Sequence, residues 1–360
     1  MKQRFDHIDI AKGIGILMVI VGHCGSLPSI LSRFIFSVHM PLFFILSGYF
    51  YVPRPEIGER LFIKKNAKNL LLPYAMTCVF VIALRVLRTI LAQGDIFYTF
   101  KLWLFASLYG SGTIVPDFFQ AHNIPMRIIG AIWFLLALFF GRIFLMHIIK
   151  SKFHPFFLAV IISYIGYATT DWFWLPFSFQ AGLNCVIFLY IGYYIKSKDL
   201  FAGEAISLPL KLLMAATWLI CICFGGALYM VRNYYGNGLL DIIGAVCGTF
   251  SIVYFSKWIE RYFVPLRRFL SGIGRISLGI MCAHLITIDC WPQDKIALYL
   301  QSLLPFPIWI INVLCIVSIS FIITGVLYVL PWVNRIFFPG AKILTVYSQF
   351  FDRIRRVKGK

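Results

Sequence analysis

The chain is dominated by apolar runs that are long enough to cross a membrane. A helix needs about 20 mainly apolar residues to span the hydrocarbon core of a bilayer, and ten runs approach that length. They lie near residues 10–27, 34–52, 70–91, 130–149, 153–170, 175–195, 208–230, 239–258, 273–291 and 307–330. The sequence therefore predicts an all-α fold, a polytopic membrane helix bundle of about ten transmembrane helices. We assign residues 1–331 to this membrane domain and residues 332–360 to a basic cytoplasmic tail.

Composition supports a membrane protein. Of the 360 residues, 60% are hydrophobic and only 13% are charged, whereas soluble domains carry about 25% charged residues. This excludes a water-soluble enzyme, a secreted disulfide scaffold and a disordered chain. The nine cysteines are consistent with a membrane protein, because they form no C-x-x-C pair and most lie inside apolar runs. A cysteine in such a run behaves as a small apolar side chain.

The net charge of +19 indicates topology and not nucleic-acid binding. Basic residues are retained in cytoplasmic loops, and with an inner N-terminus 23 of the 33 Lys and Arg fall on predicted inner segments. Both termini are then predicted to be cytoplasmic, and attraction to anionic membrane lipid is a secondary effect. The predicted outer segments hold only Arg33, Lys101, Arg127, Arg232 and Lys295.

One apolar stretch, residues 97–109, is too short for a span, and we interpret it as an interfacial or re-entrant piece of a long outer loop. Arg85 and Arg88 then lie toward the outer end of the third span. Snorkelling of both side chains to the outer headgroups is the simplest interpretation.

The first predicted helix carries two ionisable residues, Lys12 and His23. Eleven residues correspond to about 20° beyond three full turns, so both side chains share one stripe, about 16 Å apart along the axis. Lys12 is predicted at the cytoplasmic side and His23 in the outer half of the bilayer. The stripe is compatible with a substrate path, or with a snorkelling lysine and a hydrogen-bonding histidine.

Two further histidines are predicted at a similar depth. His39 lies near the outer end of the second span and His284 lies in the ninth. Each is compatible with a structural hydrogen bond, but three at one depth indicate a shared site. Ser47 and Gly48 lie toward the inner half of the second span; Ser47 is a candidate cavity residue, and Gly48 permits close helix contact.

Several segments together resemble the acyltransferase 3 family of integral membrane acyltransferases, and in particular its fucose 4-O-acetylase-like branch. Five elements match in order over about residues 5–330. They are DIAKGIGILMVIVGH with FSVHMPLFFILSGYF, the basic run FIKKNAKNLLLPY, the tryptophan motif IWFLLAL at Trp133, FLYIGYYIK, and ISLGIMCAHL, which contains His284. The family often has arginine where this chain has Lys12, Lys65 and Lys68, and lysine lacks the bidentate fork of arginine.

The resemblance implies an O-acyltransferase of the bacterial cytoplasmic (inner) membrane. It would move an acyl group, usually acetyl, from cytoplasmic acetyl-CoA to a hydroxyl of an extracytoplasmic or lipid-linked glycan, without a metal. Lys12, Lys64, Lys65 and Lys68 would hold the donor phosphates. His23 and Lys12 are the candidate catalytic residues. His23 would be the general base, because a neutral imidazole accepts a proton near physiological pH, and Asp9 would position Lys12. Further candidate substrate or cavity residues are His39, Ser47, Trp133 and His284.

Other interpretations stay open at this level. Intramembrane ionisable residues also mark transport paths, so a multi-pass transporter or exporter of a glycan or small metabolite is the main alternative, and a sensor or scaffold is a third. Asp171, Trp172 and Trp174 in a short outer loop could hold a sugar or belong to an interfacial aromatic belt. The sequence contains no metal-ligand spacing and no nucleotide-binding fingerprint.

Overall fold

The computed structural model describes residues 6–25, 27–53, 56–202, 205–225 and 228–339. Almost all regular structure there is helical, which confirms the all-α bundle. The helices of the first half are α1 Asp6–Gly22, α2 Ser29–Phe36, α3 His39–Tyr49, α4 Glu59–Leu91, α5 Ile96–Tyr109, α6 Asp117–Ala121, α7 Trp133–Lys150 and α8 Pro155–Ala168. Those of the second half are α9 Phe179–Asn184, α10 Val186–Ser197, α11 Leu208–Phe224, α12 Leu239–Tyr262, α13 Val264–Arg275, α14 Ser277–Cys290, α15 Gln293–Gln301, α16 Ile308–Val329 and α17 Pro331–Phe337.

Each predicted span coincides with a helix or with a broken pair of helices. Five segments are long and apolar enough to cross a membrane by length and composition: Ser29–Tyr49, Glu59–Leu91, Gly130–Lys150, Leu239–Tyr262 and Ile308–Val329. The pairs α9/α10 and α13/α14 bend by 48° and 71° and raise the number to seven if each pair is one span. The total of ten also requires α1, α8 and α11, which have only 17, 14 and 17 residues, so the number of spans stays a prediction.

Several helix boundaries differ from the sequence prediction. Helix α4 begins at Glu59, not near Leu70, and its 33 residues carry the lysines that were expected in a loop. Helix α11 ends at Phe224, because the following residues form a two-stranded antiparallel hairpin, β1 Leu228–Tyr229 and β2 Tyr234–Tyr235. The stretch 97–109 is helical within α5, which packs against α4. Residues 340–360 of the predicted tail lie outside the described residues.

Helix α1 lies at the centre of the bundle, in contact with α3, α12, α13, α14 and α16. Most of its apolar side chains are buried; Ile8, Ile10 and Ile20 have no exposed surface. At about 25 cal/mol per Å² of apolar surface, complete burial of one such side chain contributes roughly 2 kcal/mol where the surface would otherwise face water. Any group that α1 carries is therefore held in a fixed position by these neighbouring helices.

Close contact between α3 and α10 depends on two glycines. A Cβ atom on Gly48 would collide with the backbone of Leu189, and one on Gly192 would collide with the backbone of Ile45. This confirms the close helix contact expected at Gly48. Small residues permit such backbone approach in membrane helices, where van der Waals contact drives association.

We expect Gly48→Ala to destabilise the protein by about 1–3 kcal/mol, because the added methyl group overpacks a backbone contact that cannot relax cheaply. The measurement is the thermal unfolding midpoint of purified protein in detergent. Gly325→Ala is the matched control, since Gly325 also lies in a membrane helix but has open space where its Cβ would stand. Equal midpoints for the two variants would contradict the packing assignment.

The predicted topology has a direct test. A reporter inserted at Ala121 should face the outer side, and one inserted at Lys152 should face the cytoplasm, because the basic residues bias the intervening segments that way. Both positions are exposed, so an insertion there disturbs little packing. A cytoplasmic signal at Ala121 would mean that α5 crosses the membrane as an additional span.

Candidate active site

Two of the three predicted histidines are in direct contact. His23 follows the last turn of α1, His284 lies in the second half of α14, and their ring centroids are 5.1 Å apart in an edge-to-face arrangement. His39, the first residue of α3, lies within Coulombic range of His23 and packs its ring against Phe36 at 5.0 Å. The predicted cluster at one depth is therefore present.

Local hydrogen bonds orient all three imidazoles alike. The Nδ1–H groups of His23 and His39 donate to the carbonyl oxygens of Val19 (2.7 Å) and Ile35 (2.8 Å), each one turn back along the chain. His284 Nδ1 lies 3.2 Å from Ser320 Oγ, whose hydroxyl donates to Thr287 Oγ1. In the tautomer that this network assigns, Nδ1 carries the proton and Nε2 carries the lone pair.

The three histidines differ in how much of their surface is exposed. His284 has no exposed surface and His39 only 4%, whereas His23 is exposed. The Nε2 atom of His284 is buried and has no hydrogen-bond partner in the described part of the chain. His23 is thus the accessible imidazole, and the other two form its surroundings.

A cavity of about 1000 Å³ runs beside α1 below these histidines. Its lining begins at Asp9 and Lys12 and reaches Val19, whose carbonyl oxygen holds His23. Met40 and Met281 line the same deep region; they follow His39 by one residue and precede His284 by three. The cavity therefore connects the level of Lys12 with the level just beneath the histidine cluster, a rise of about 10 Å along α1.

The lower part of the cavity is cationic. Lys12 Nζ lies 3.6 Å from Asp9 Oδ1 and 4.8 Å from the centre of the Phe50 ring, which confirms the expected pairing with Asp9. Asp9 is shared with Arg275, whose Nε is 3.3 Å from Asp9 Oδ2. Arg275 also contacts Asp6 at 2.9 Å. These ion pairs fix the positions of the two cations at the junction of α1 and α13.

Arg142 is a third cation on the cavity wall, and the sequence analysis assigned it no role. It lies in the C-terminal half of α7, and its Nε atom is buried with no hydrogen-bond partner among the described residues. Arg142 interacts electrostatically with Tyr51. Because the ring of the preceding residue, Phe50, contacts Lys12, Arg142 lies near the level of Lys12 in the bundle. The signal was present in the sequence, because an arginine inside an apolar span is costly and marks a functional site by default. We call Lys12, Arg142 and Arg275 the cationic mouth.

Of the other predicted site residues, only some lie on the cavity wall. Ser47 lines the cavity. Trp133 is 5% exposed and packs near Phe44, while its neighbour Phe134 faces the cavity. Exposed surface positions on the first turns of α4 are taken by Lys64, Lys65 and Lys68.

The three lysines of α4 do not line the cavity because of helical periodicity. Asn66 is 3% exposed, and Leu70, one turn further, lines the cavity. At about 100° per residue, Asn66 and Leu70 lie on one face of α4, which is directed into the protein, and the three lysines lie on its other faces. Their proposed contact with donor phosphates stays a prediction.

The three candidate residues of the predicted outer loop differ in exposure. Asp171 and Trp172 are exposed, with 79% of Trp172 accessible, whereas Trp174 is 6% exposed and accepts a hydrogen bond on its carbonyl oxygen from the Tyr109 hydroxyl. A role in holding a sugar stays a prediction for all three. Within the described ranges, no three His, Cys, Asp or Glu side chains are grouped closely enough to hold a metal ion.

Together, the helical bundle, the buried cavity with a cationic mouth and the histidine pair above it define a polytopic membrane protein with an intramembrane reaction or binding site. A comparison with protein families gives the class directly: the model of the acyltransferase 3 family, described as an acyltransferase domain, matches residues 5–325. The chain therefore belongs to the acyltransferase 3 family and is a multi-pass membrane acyltransferase. No curated protein and no solved structure matches it in the same comparisons. The fucose 4-O-acetylase-like branch stays a prediction.

Proposed function

We propose that this protein is a membrane O-acyltransferase that moves an acetyl group from cytoplasmic acetyl-CoA to a hydroxyl of an extracytoplasmic or lipid-linked glycan. The observation that carries the proposal is the cavity of about 1000 Å³ that connects Lys12 with the region directly below His23. The proposed location is the bacterial inner membrane, where the donor and the glycan lie on opposite sides.

The cationic mouth supports acyl-CoA as the donor. Coenzyme A carries its phosphates at one end and its thioester at the end of a long, thin arm. Lys12, Arg142 and Arg275 would bind the phosphates by charge, with the two guanidinium groups able to form bidentate contacts. The apolar upper walls at Val19, Met40 and Met281 would accommodate the arm and direct the thioester toward the histidines.

The hydrogen bonding of His23 supports a role as general base. With Nδ1–H donated to Val19, Nε2 can accept the proton of the acceptor hydroxyl as its oxygen attacks the thioester carbonyl. The new C–O bond forms, the C–S bond breaks, and the thiolate of coenzyme A takes the proton from the His23 imidazolium. His284 packs against His23 at 5.1 Å and limits the orientations of that ring.

Exposure of His23 supports delivery of the acceptor from the outer side. The deep end of the donor cavity lies below the histidines, and His23 is accessible from outside the cavity lining. Donor and acceptor would therefore approach the imidazole from opposite directions. This arrangement allows transfer across the membrane while coenzyme A remains on the cytoplasmic side.

The test uses purified protein in nanodiscs with radiolabelled acetyl-CoA and lipid-linked or free glycan acceptors. We expect thioester consumption that depends on an added glycan, together with label on the glycan. The main alternative, a transporter, predicts movement of an intact solute and no thioester consumption. Label recovered only as free acetate, whatever glycan is added, would contradict the proposal.

A further inference from the structure

A second cluster of charged residues lies at the predicted outer end of the bundle, away from the donor cavity. Arg85 of α4 and Arg127 of the loop before α7 both lie against the ring of Trp103 in α5. The two Cζ atoms are 5.0 Å and 5.4 Å from the ring centre. Asp289, near the end of α14, interacts electrostatically with both arginines.

Snorkelling does not explain this arrangement. A snorkelling arginine extends into the headgroups, but the Nε atom of Arg85 is buried with no hydrogen-bond partner in the part of the chain that the structure describes. Trp103, on which the guanidinium lies, is only 4% exposed. Arg85 is therefore directed into the protein, between α4 and α5.

The cluster has an excess of positive charge. Two arginines face one carboxylate, and no ion pair of 4.0 Å or less joins Asp289 to either of them within the described ranges. Basic residues are disfavoured on translocated segments, so their convergence from two separate segments requires a reason. A guanidinium that lies over an aromatic ring keeps its N–H edge available for bidentate contact with a carboxylate or phosphate.

The cluster is close to the candidate reaction site. Asp289 follows His284 by five residues on α14, a rise of about 8 Å along the helix axis. Trp103, Leu285 and Asp289 line one small crevice, and Arg127 is exposed beside it. A group bound by the exposed Arg127 side chain would be about one or two sugar rings from His23, on the side from which the acceptor is proposed to arrive.

We propose that Arg85 and Arg127 bind an anionic group of the acceptor, so that the enzyme selects glycans that carry a carboxylate or a phosphate. This inference rests on the proposed acyltransferase function for the identity of the ligand as an acceptor. The shared chemistry is an oxyanion with two or more oxygens. Its source is either an acidic sugar or the phosphate that links a sugar to a lipid carrier.

Binding is measured without acetyl-CoA, by calorimetry in a polyoxyethylene detergent, with three probes: octyl glucoside, octyl glucuronide and glucosyl phosphooctane. We expect the parent protein to bind at least one anionic probe about tenfold more tightly than the neutral one, the size expected for hydrogen bonds to a charged group. Preference for the glucuronide indicates an acidic sugar, and preference for the phosphodiester indicates a lipid-linked phosphate.

Three variants test the residues. Arg127→Gln and Arg85→Gln should each weaken binding of the anionic probe about fivefold or more and leave binding of the neutral probe unchanged. Asp289→Asn should strengthen binding of the anionic probe, since it removes the negative charge that repels the probe. Arg88→Gln is the matched control, because Arg88 is exposed one turn further on the same helix.

Equal binding of the three probes to the parent would overturn the proposal, as would equal effects of Arg127→Gln and Arg88→Gln. Because Arg127 is exposed, its variant should fold even if Arg85→Gln does not. The outcome is independent of the acetyl-transfer assay. Charge-dependent binding without thioester consumption would reject the proposed acetyl transfer from acetyl-CoA and retain the anion site. Transfer to neutral and anionic glycans alike would reject the anion site and retain the proposed transfer.

Discussion

His23→Ala should abolish acetyl transfer, with a loss of about 100- to 10,000-fold in rate, the range found for removal of a general base. The physical reason is that His23 is the exposed imidazole of the cluster and its Nε2 lone pair is available when Nδ1–H is donated to Val19. Membrane insertion and folding should be retained, since alanine adds no polar group to the bundle. The measurement is the rate of glycan acetylation at saturating donor and acceptor.

Two variants separate a chemical role of His23 from a structural one. His23→Asn keeps an N–H group near the position of Nδ1 but has no basic nitrogen, so it should be as inactive as His23→Ala. His122→Ala is the matched control, because His122 also donates Nδ1–H to the carbonyl oxygen one turn back, at 2.8 Å, yet lies exposed at the end of α6. Substantial activity in His23→Asn would remove His23 as the base.

The neighbouring histidines should give intermediate losses. His284→Ala removes the ring that packs on His23, and His39→Ala removes a buried imidazole of the same cluster. Neither ring is accessible, so we expect positioning effects and not the full loss. Equal loss in all three alanine variants would indicate a shared proton relay in place of a single base.

Lys12→Gln and Arg142→Gln should each weaken acetyl-CoA binding about 10- to 100-fold, the range for loss of a hydrogen bond to a charged group. Both side chains line the cavity, on the predicted cytoplasmic side, where we expect only the donor to reach them. Binding of the glycan should be unchanged. The measurement is a titration of acetyl-CoA at low and high salt, with the acceptor saturating.

Salt supplies the control for this prediction. Partly exposed charge contacts are screened by ions, so donor affinity of the parent should fall as ionic strength rises, and the variants should show a flatter dependence. Lys65→Gln combined with Lys68→Gln tests the exposed positions of α4, and Lys152→Gln is a control on an exposed inner loop. Unchanged donor affinity in both cavity variants and in the α4 pair would reject the cationic mouth and the cytoplasmic source of the acetyl group.

Much of the fold follows from local sequence. Apolar runs of about 20 residues predict membrane helices because unpaired backbone groups are too costly in hydrocarbon, and each predicted span coincides with a helix or a broken pair. Helix ends were less accurate. Nothing in the basic run at 64–68 distinguishes a loop from the start of a long helix, and no proline marks the 71° bend before Ser277.

The sequence by itself determined the membrane class and the family motifs, because hydropathy and local residue patterns act within one segment. Only the tertiary structure decided that His284 meets His23, that Arg142 joins Lys12 on one cavity wall, and that Arg85 and Arg127 converge on Trp103. These residues lie on separate helices or loops, and their distances depend on how the helices pack and rotate. A helical period fixes the direction of a side chain relative to its own axis, whereas contact between helices fixes what that side chain faces.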